Sequence, residues 1–169
     1  MTASPCAGCT GICCRMYSVE LTVFDIRRLM AGLGLEPMEF CATVDSWPGR
    51  CQITPSRING RSVNITLRQV DGACTFLRDG AEGCSVYAHR PRSCAVYPFR
   101  QTGRQTAVPR AALPCPTSWT GWGNTPRWAA DLAVLSKEIR RHNDAAAEVN
   151  TALGNADLEV HVEALLSRA

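Results

Sequence analysis

Four thiols fall within nine residues near the start of this chain, in Cys6-Ala7-Gly8-Cys9-Thr10-Gly11-Ile12-Cys13-Cys14. Cys6 and Cys9 stand as C-x-x-C, a spacing at which one tight turn aims two thiolates at a common metal ion. Cys13 and Cys14 are adjacent, and Cα atoms about 3.8 Å apart fall short of the roughly 4.4–6.8 Å that an unstrained disulfide spans. Their side chains are expected to diverge, one completing the site begun by Cys6 and Cys9 while the other serves a second site nearby. A second group runs from Cys74 to Phe99, where Cys74, Cys84 and Cys94 recur ten residues apart. Cys115 stands between Pro114 and Pro116, whose rings limit the entropy lost in presenting its thiolate. His89 lies inside the second group, but four thiolates fill a site without it, so thiolate ligation is preferred. Cys41 and Cys51 belong to no tight spacing and read as small buried hydrophobes.

The composition sets the chemistry these thiols meet. At 169 residues and 46% hydrophobic, the chain is long enough to bury an ordinary core, so metal is not needed merely to offset small size. Ten cysteines are roughly 6% of the residues, below the share that marks short disulfide scaffolds. The first residues, MTASPCAGCT, carry neither a charged nor an apolar signal region. No apolar run approaches the roughly 18 residues of a membrane span. A cytoplasmic, reducing setting is the expectation, and there thiols ligate metal more readily than they pair. The formal charge of +3 falls to about −1 if eight thiolates hold two dipositive centres. Lysine is nearly absent and no basic stripe appears, so no nucleic-acid partner is expected. Arg15, Arg90, Arg92 and Arg100 flank the cysteines, where they can either offset thiolate charge or simply face solvent.

The remaining chain supplies elements to position the thiols. Tyr17 to Leu21 alternates weakly and reads as a short strand or an extended lead-in. Thr22 and Asp25 form a capping-box pattern before the helical spacing of Phe24, Ile26, Leu29, Met30 and Leu33, closed by Gly34. Asp25 is read as a capping carboxylate in preference to a metal ligand. Glu36-Pro37 opens a second short helix through Phe40 and Val44, carrying Cys41. Ser62 to Val70 alternates as a half-buried strand, and Asp71-Gly72 turns it into Ala73–Leu77, delivering Cys74. Tyr87 to Cys94 reads as one or two helical turns broken by Pro91. The span from Arg100 to Pro114 reads as an irregular strand, and Pro116 to Asn124, with Trp119 and Trp122, as a packed loop. Thr125-Pro126 starts a long amphipathic helix through Trp128, Leu132, Leu135, Ile139, His142, Ala146, Val149 and Leu153, which Gly154-Asn155 ends. Leu158 to Leu166 makes a final helix. His142 and His161 are read as helix-face residues, since neither has a partner at metal-site spacing.

The resulting fold class is α+β: a small cysteine-rich metal-binding domain with a short antiparallel hairpin and flanking helices, the C-terminal one long. The expected division is a cysteine-cluster region over residues 1–116 and a helical extension over 117–169 packing on the same domain.

CAGCTGICC, the helix LTVFDIRRL and the segment CTFL…GCSVYAHRPRSCAVYPF together resemble the CxxCxxCC or YkgJ-type cysteine-cluster family of zinc- or iron-chelating domains. The most specific match is C-x-V-Y-x-x-R-P-x-x-C-x-x-Y-P-F, met by Cys84, Val86, Tyr87, Arg90, Pro91, Cys94, Tyr97, Pro98 and Phe99. The resemblance implies Cys6, Cys9, Cys13, Cys14, Cys74, Cys84, Cys94 and Cys115 as metal ligands. It leaves out Cys41 and Cys51. This chain departs from the family name by placing three residues, Thr10-Gly11-Ile12, between its second and third cysteines. Which cysteines share a site therefore stays open.

Eight candidate thiolates match two four-thiolate centres in number. Zinc suits closed tetrahedral thiolate sites with a structural or interaction role. An iron–sulfur cluster also takes four cysteines and adds redox chemistry. The close spacing of the first group favours iron–sulfur slightly over zinc. A cluster-dependent enzyme, a methyltransferase or oxidoreductase, is the alternative, since some proteins resembling this family are linked to lysine methylation. No glycine-rich cofactor loop, Ser/His/Asp set or paired carboxylates support it, and no small-molecule substrate is identified. Thiol exchange through Cys6 and Cys9 lacks a preceding strand and a helix starting on the motif. A protein partner is compatible with either metal.

Overall fold

A computed structural model describes residues 10–47, 52–78, 83–102, 105–107 and 126–168, with only the backbone described at 100–102, 105–107, 126 and 127. Cys6, Cys9, Cys51, Cys115, Trp119 and Trp122 lie outside the described residues. The fold is mixed helix and strand, with a small antiparallel sheet and a long C-terminal helix.

The centre of the sheet is β3 (Arg61–Leu67), whose side chains from Val63 onward are all buried. Along one edge runs β1 (Cys41–Asp45), antiparallel, with Cys41 opposite Leu67 and Asp45 opposite Val63. Two shorter pieces share the other edge. Here β2 (Ser56–Ile58) pairs with Arg61–Val63, and the extended segment Val19–Leu21 takes the far half. Leu21 N–H donates to the Ile65 carbonyl and Leu67 N–H to the Val19 carbonyl, both at 2.9 Å. The lead-in read from Tyr17–Leu21 is thus extended chain bridged to β3 at Glu20 and Thr66.

Cys41 requires a correction. The helix opened by Pro37 stops at Phe40, as α3 (Pro37–Phe40), and Cys41 begins β1 instead of riding the helix. Thr43 and Val44 are β-branched and favour a pleated strand. Pairing along β3 also satisfies backbone groups that another helical turn would withdraw.

Two hairpins use the same turn chemistry. Asp71-Gly72, with φ of 50° and 75°, joins β4 (Gln69–Val70) to β5 (Ala73–Cys74), as the Asp-Gly signal predicts. Asn59-Gly60 does likewise between β2 and β3, with φ of 49° and 75°. The strand read as continuous from Ser62 to Val70 is split at Arg68. There the Arg68 N–H donates to Phe40 and its carbonyl accepts from Thr75.

Helix α2 (Val23–Leu33) carries the capping box read from Thr22 and Asp25, and it ends at Gly34 in the left-handed region. Its buried face presents Val23, Ile26 and Leu29 to a core shared with Leu21, Phe40, Ile65, Leu67 and Phe76. The long helix is α5 (Pro126–Leu153), and α6 (Leu158–Arg168) folds back after Gly154. Ala146, Val149, Val162 and Leu165, all fully buried, close the same core from these helices. Where an irregular strand is expected from Arg100, β6 (Arg100–Thr102) and β7 (Gln105–Ala107) pair as a hairpin.

Candidate metal centre

The first cysteine group ends in α1 (Ile12–Met16), a short helix where no helix is expected from the sequence. Gly11 opens it at φ 74°, and a Cβ there would lie 2.2 Å from a Leu77 methyl, so α1 rests directly on the Leu77 turn. That turn also unites two thiols of the second group. The Leu77 N–H donates to the Cys74 carbonyl at 2.9 Å, and Leu77 bridges antiparallel to Cys84. Arg78 N–H to Gly83 and Ser85 N–H to Phe76, each 2.9 Å, close the loop.

The third thiol comes from α4 (Arg92–Val96), which begins directly after Pro91. Turns at 85–89 precede the proline, so Pro91 divides the expected turns in two, as read. Pro91 lacks an N–H and fixes φ near −65°, which suits the residue before a helix better than its interior. Tyr97, at the end of α4, packs its ring 5.8 Å from that of Tyr17, just past α1. Cys13, Cys14, Cys74, Cys84 and Cys94 are all free thiols, on α1, β5, the Cys84 bridge and α4.

Four of them act on one another through their charges. The Cys13 thiol is pushed up chiefly by its hydrogen bond with Cys14 and further by burial. Burial raises Cys74, and the charges of Cys84 and Cys13 add to it. Burial also raises Cys84, opposed by the Arg90 guanidinium and reinforced by Cys13. Burial raises Cys94 well above the ordinary thiol range, with Cys74, Cys13, Cys84 and Asp25 adding in turn. Each thiol therefore lies within electrostatic reach of the others, in surroundings that oppose bare thiolates. Without a cation these thiols stay protonated and neutral, whereas a bound metal deprotonates coordinating thiols and offsets the repulsion among them. The chemistry of these residues fits zinc or iron. Among the described residues no three His, Cys, Asp or Glu side chains stand in ligating arrangement, and Cys6, Cys9 and Cys115 are outside the described set.

Neighbouring groups differ in what they touch. Arg90 stacks over the Tyr87 ring at 3.7 Å while its charge faces Cys84. Arg92 is a strut: its side chain bonds Glu138 of α5 at 3.2 Å and lies 3.7 Å from Asp131. Arg15 is exposed, and the Arg100 side chain lies outside the described residues. His89 packs against α2, where a Cβ on Gly32 would lie 2.3 Å from its Nδ1. Cys41 is fully buried in the apolar core, and burial pushes its thiol up to about 12.

Asp25 does what its capping pattern predicts, since Oδ2 accepts from the Thr22 N–H at 3.0 Å and from Thr22 Oγ1 at 2.7 Å. Spacing alone could not reveal its second partner. Oδ1 accepts from the Arg92 N–H at 2.8 Å, across 67 residues. His142 and His161 lie on helix faces, as read, but on faces turned into the core, at 1% and 0% exposure. The apolar stripe that included His142 already carried that signal. No described helix is long and apolar enough to cross a membrane.

No curated protein and no solved structure matches this chain. The CxxCxxCC family, described as a "putative zinc- or iron-chelating domain", matches residues 5–116, more than half of the sequence and every candidate thiol named above. By that match, the chain belongs to the CxxCxxCC family.

Proposed function

We propose that this protein holds one or two all-cysteine metal centres built from Cys6, Cys9, Cys13, Cys14, Cys74, Cys84, Cys94 and Cys115, with iron–sulfur slightly preferred to zinc and a role that is redox or structural. The observation that supports the reading is the Leu77 turn, which bonds to the Cys74 carbonyl, bridges to Cys84 and seats the helix that carries Cys13 and Cys14, so that free thiols from distant parts of the chain adjoin one turn. A cation bound by these thiols would deprotonate them and add its binding free energy to that of folding. The iron–sulfur preference rests on the close spacing of the first group. When bound, such a cluster supplies one-electron chemistry at a potential set by charge, hydrogen bonding and exposure. The protein's part is to hold the sulfurs, keep Arg90 near Cys84 and limit water around Cys94. The proposed setting is the cytoplasm and the proposed partner another protein.

The direct test is iron, zinc and acid-labile sulfide content, with a visible spectrum, on untagged protein purified without oxygen. Brown protein with iron and sulfide supports the cluster. Colourless protein with zinc moves the reading to a structural or interaction module, and protein without metal sinks it. Cys84→Ser is expected to lose bound metal and melting temperature together, because assembly of the site and folding are coupled. Cys41→Ala should keep its metal while losing stability through a small core cavity. Equal metal content in both variants would contradict the ligand assignment.

A further inference from the structure

Asp25 is 1% exposed, and its two oxygens serve two different elements. Oδ2 completes the cap of α2 through Thr22. Oδ1, which that cap does not need, accepts from Arg28 Nη2 at 2.9 Å and from the Arg92 backbone N–H at 2.8 Å. Arg92 is the first residue of α4, and its N–H is among the donors that a helix start leaves without an internal partner. Pro91, at the cap position, makes no side-chain cap bond. The carboxylate of a helix 67 residues away supplies that acceptor instead. Cys94 follows two residues later, near enough for the Asp25 charge to act on it. Behind the pair, Glu138 of α5 bonds both Arg28 and Arg92 at 3.2 Å, so neither arginine can draw the carboxylate away.

We propose that Asp25 is a positioning residue of the metal centre: by fixing the first turn of α4 it aims Cys94 at the other thiols. The role rests on the reading of Cys94 as a ligand. Loss of the carboxylate leaves the C-terminal end of α4 held by buried Val96 and by Tyr97 against Tyr17, while its first turn keeps only the side-chain ion pairs of Arg92, which do not fix the backbone there. A rotation within so short a helix swings Cys94 off the site while the core stays packed.

The test is a double-mutant cycle between Asp25→Ala and Cys94→Ser in the full chain. Affinity for cobalt(II) is measured by competition with a chelator, and the number of bound thiolates is read from the sulfur-to-cobalt charge-transfer band. Asp25→Ala is expected to lower affinity about 10- to 100-fold, the range for groups that orient metal ligands, and to lose the absorption of one thiolate. In the Cys94→Ser background the same change should add less than about twofold, because coupled residues are not additive. An equal loss in both backgrounds with an unchanged spectrum overturns the proposal, since Asp25 would then act through the fold alone. Should Asp25→Ala not fold, Asp25→Ser, too short to reach Arg92, runs the same cycle with the same two outcomes. If Cys94→Ser alone changes neither affinity nor spectrum, the ligand assignment fails first and the proposal falls with it.

Discussion

Gly11 meets two demands at once. Its φ of 74° lies where a Cβ costs about 1–2 kcal/mol, and its Cα faces the Leu77 methyl so closely that any side chain would displace it. Gly11→Ala is therefore expected to pay that backbone cost and about 1–3 kcal/mol more for overpacking. Because Leu77 also bridges to Cys84, the damage should reach the metal. Urea unfolding and metal content should fall together, and an unchanged metal content would show that the seat of α1 on Leu77 does not matter to the site. The glycine was visible between Cys9 and Cys13, but its reason was not, because Leu77 is far along the chain. Asp25 divides the same way: its Thr22 partner is three residues off and readable, while the Arg92 N–H exists only in the fold.

Among the elements, those with local causes were legible. The capping box of α2, the Asp71-Gly72 hairpin and the apolar stripe of α5 each lie within one short window, and each forms as read. The helix expected across Cys41 gives way to β1 because the reason for that strand is β3, whose partner residues begin at Val63. The face of α5 toward the sheet was not readable as such. Asn143 and Asn150 stand two turns apart and hold the backbone leading into β2: Asn143 Oδ1 accepts from Thr54 N–H at 2.7 Å and Asn150 Oδ1 from Arg57 N–H at 2.8 Å. Between them and α2 lies His142, whose Nδ1 accepts the Val23 N–H at 3.0 Å, so the ring must stay neutral at that nitrogen. Burial lowers His142 to about 4, with Asp25 opposing and His161 assisting. Burial lowers His161 also, and neither of its nitrogens has a hydrogen-bond partner among the described residues. The unfolded chain takes up these protons near pH 6.5 and the folded chain only well below it. Stability is therefore complete above about pH 6.5 and drains as pH falls toward 4, by about 3 kcal/mol for His142 alone. Urea midpoints of the metal-free protein across pH 4–7 should show this slope. His142→Gln, which keeps an acceptor for Val23, should be flatter, with the remainder due to His161. A slope identical to that of the parent would remove His142 from the account.

At the scale of the whole molecule, the family match and the physical core have different limits. The match ends at residue 116, and so does the expected division between a cysteine region and a helical extension. The core does not stop there. Ala146 and Val149 of α5 and Val162 and Leu165 of α6 are buried against Ile26, Leu29 and Phe40, and Glu138 of α5 anchors Arg28 and Arg92 on either side of Asp25. Phe99, close after α4, packs its ring 4.7 Å from that of Trp128. The helices thus close the apolar face of α2 and brace the turn that carries Cys94. A chain ended at Pro116 is expected to give no cooperative thermal transition and to lose most of its cobalt binding, whereas the full chain unfolds as one unit. Calorimetry and a cobalt titration on both would decide it. If the shorter chain melts sharply and binds metal fully, residues 117–169 form a separate unit docked on a self-sufficient cysteine domain, and the bracing by Glu138 is dispensable. If it does neither, the smallest folding unit that can carry this metal chemistry is larger than the stretch by which the family is recognised, and the C-terminal helices are part of the site's construction.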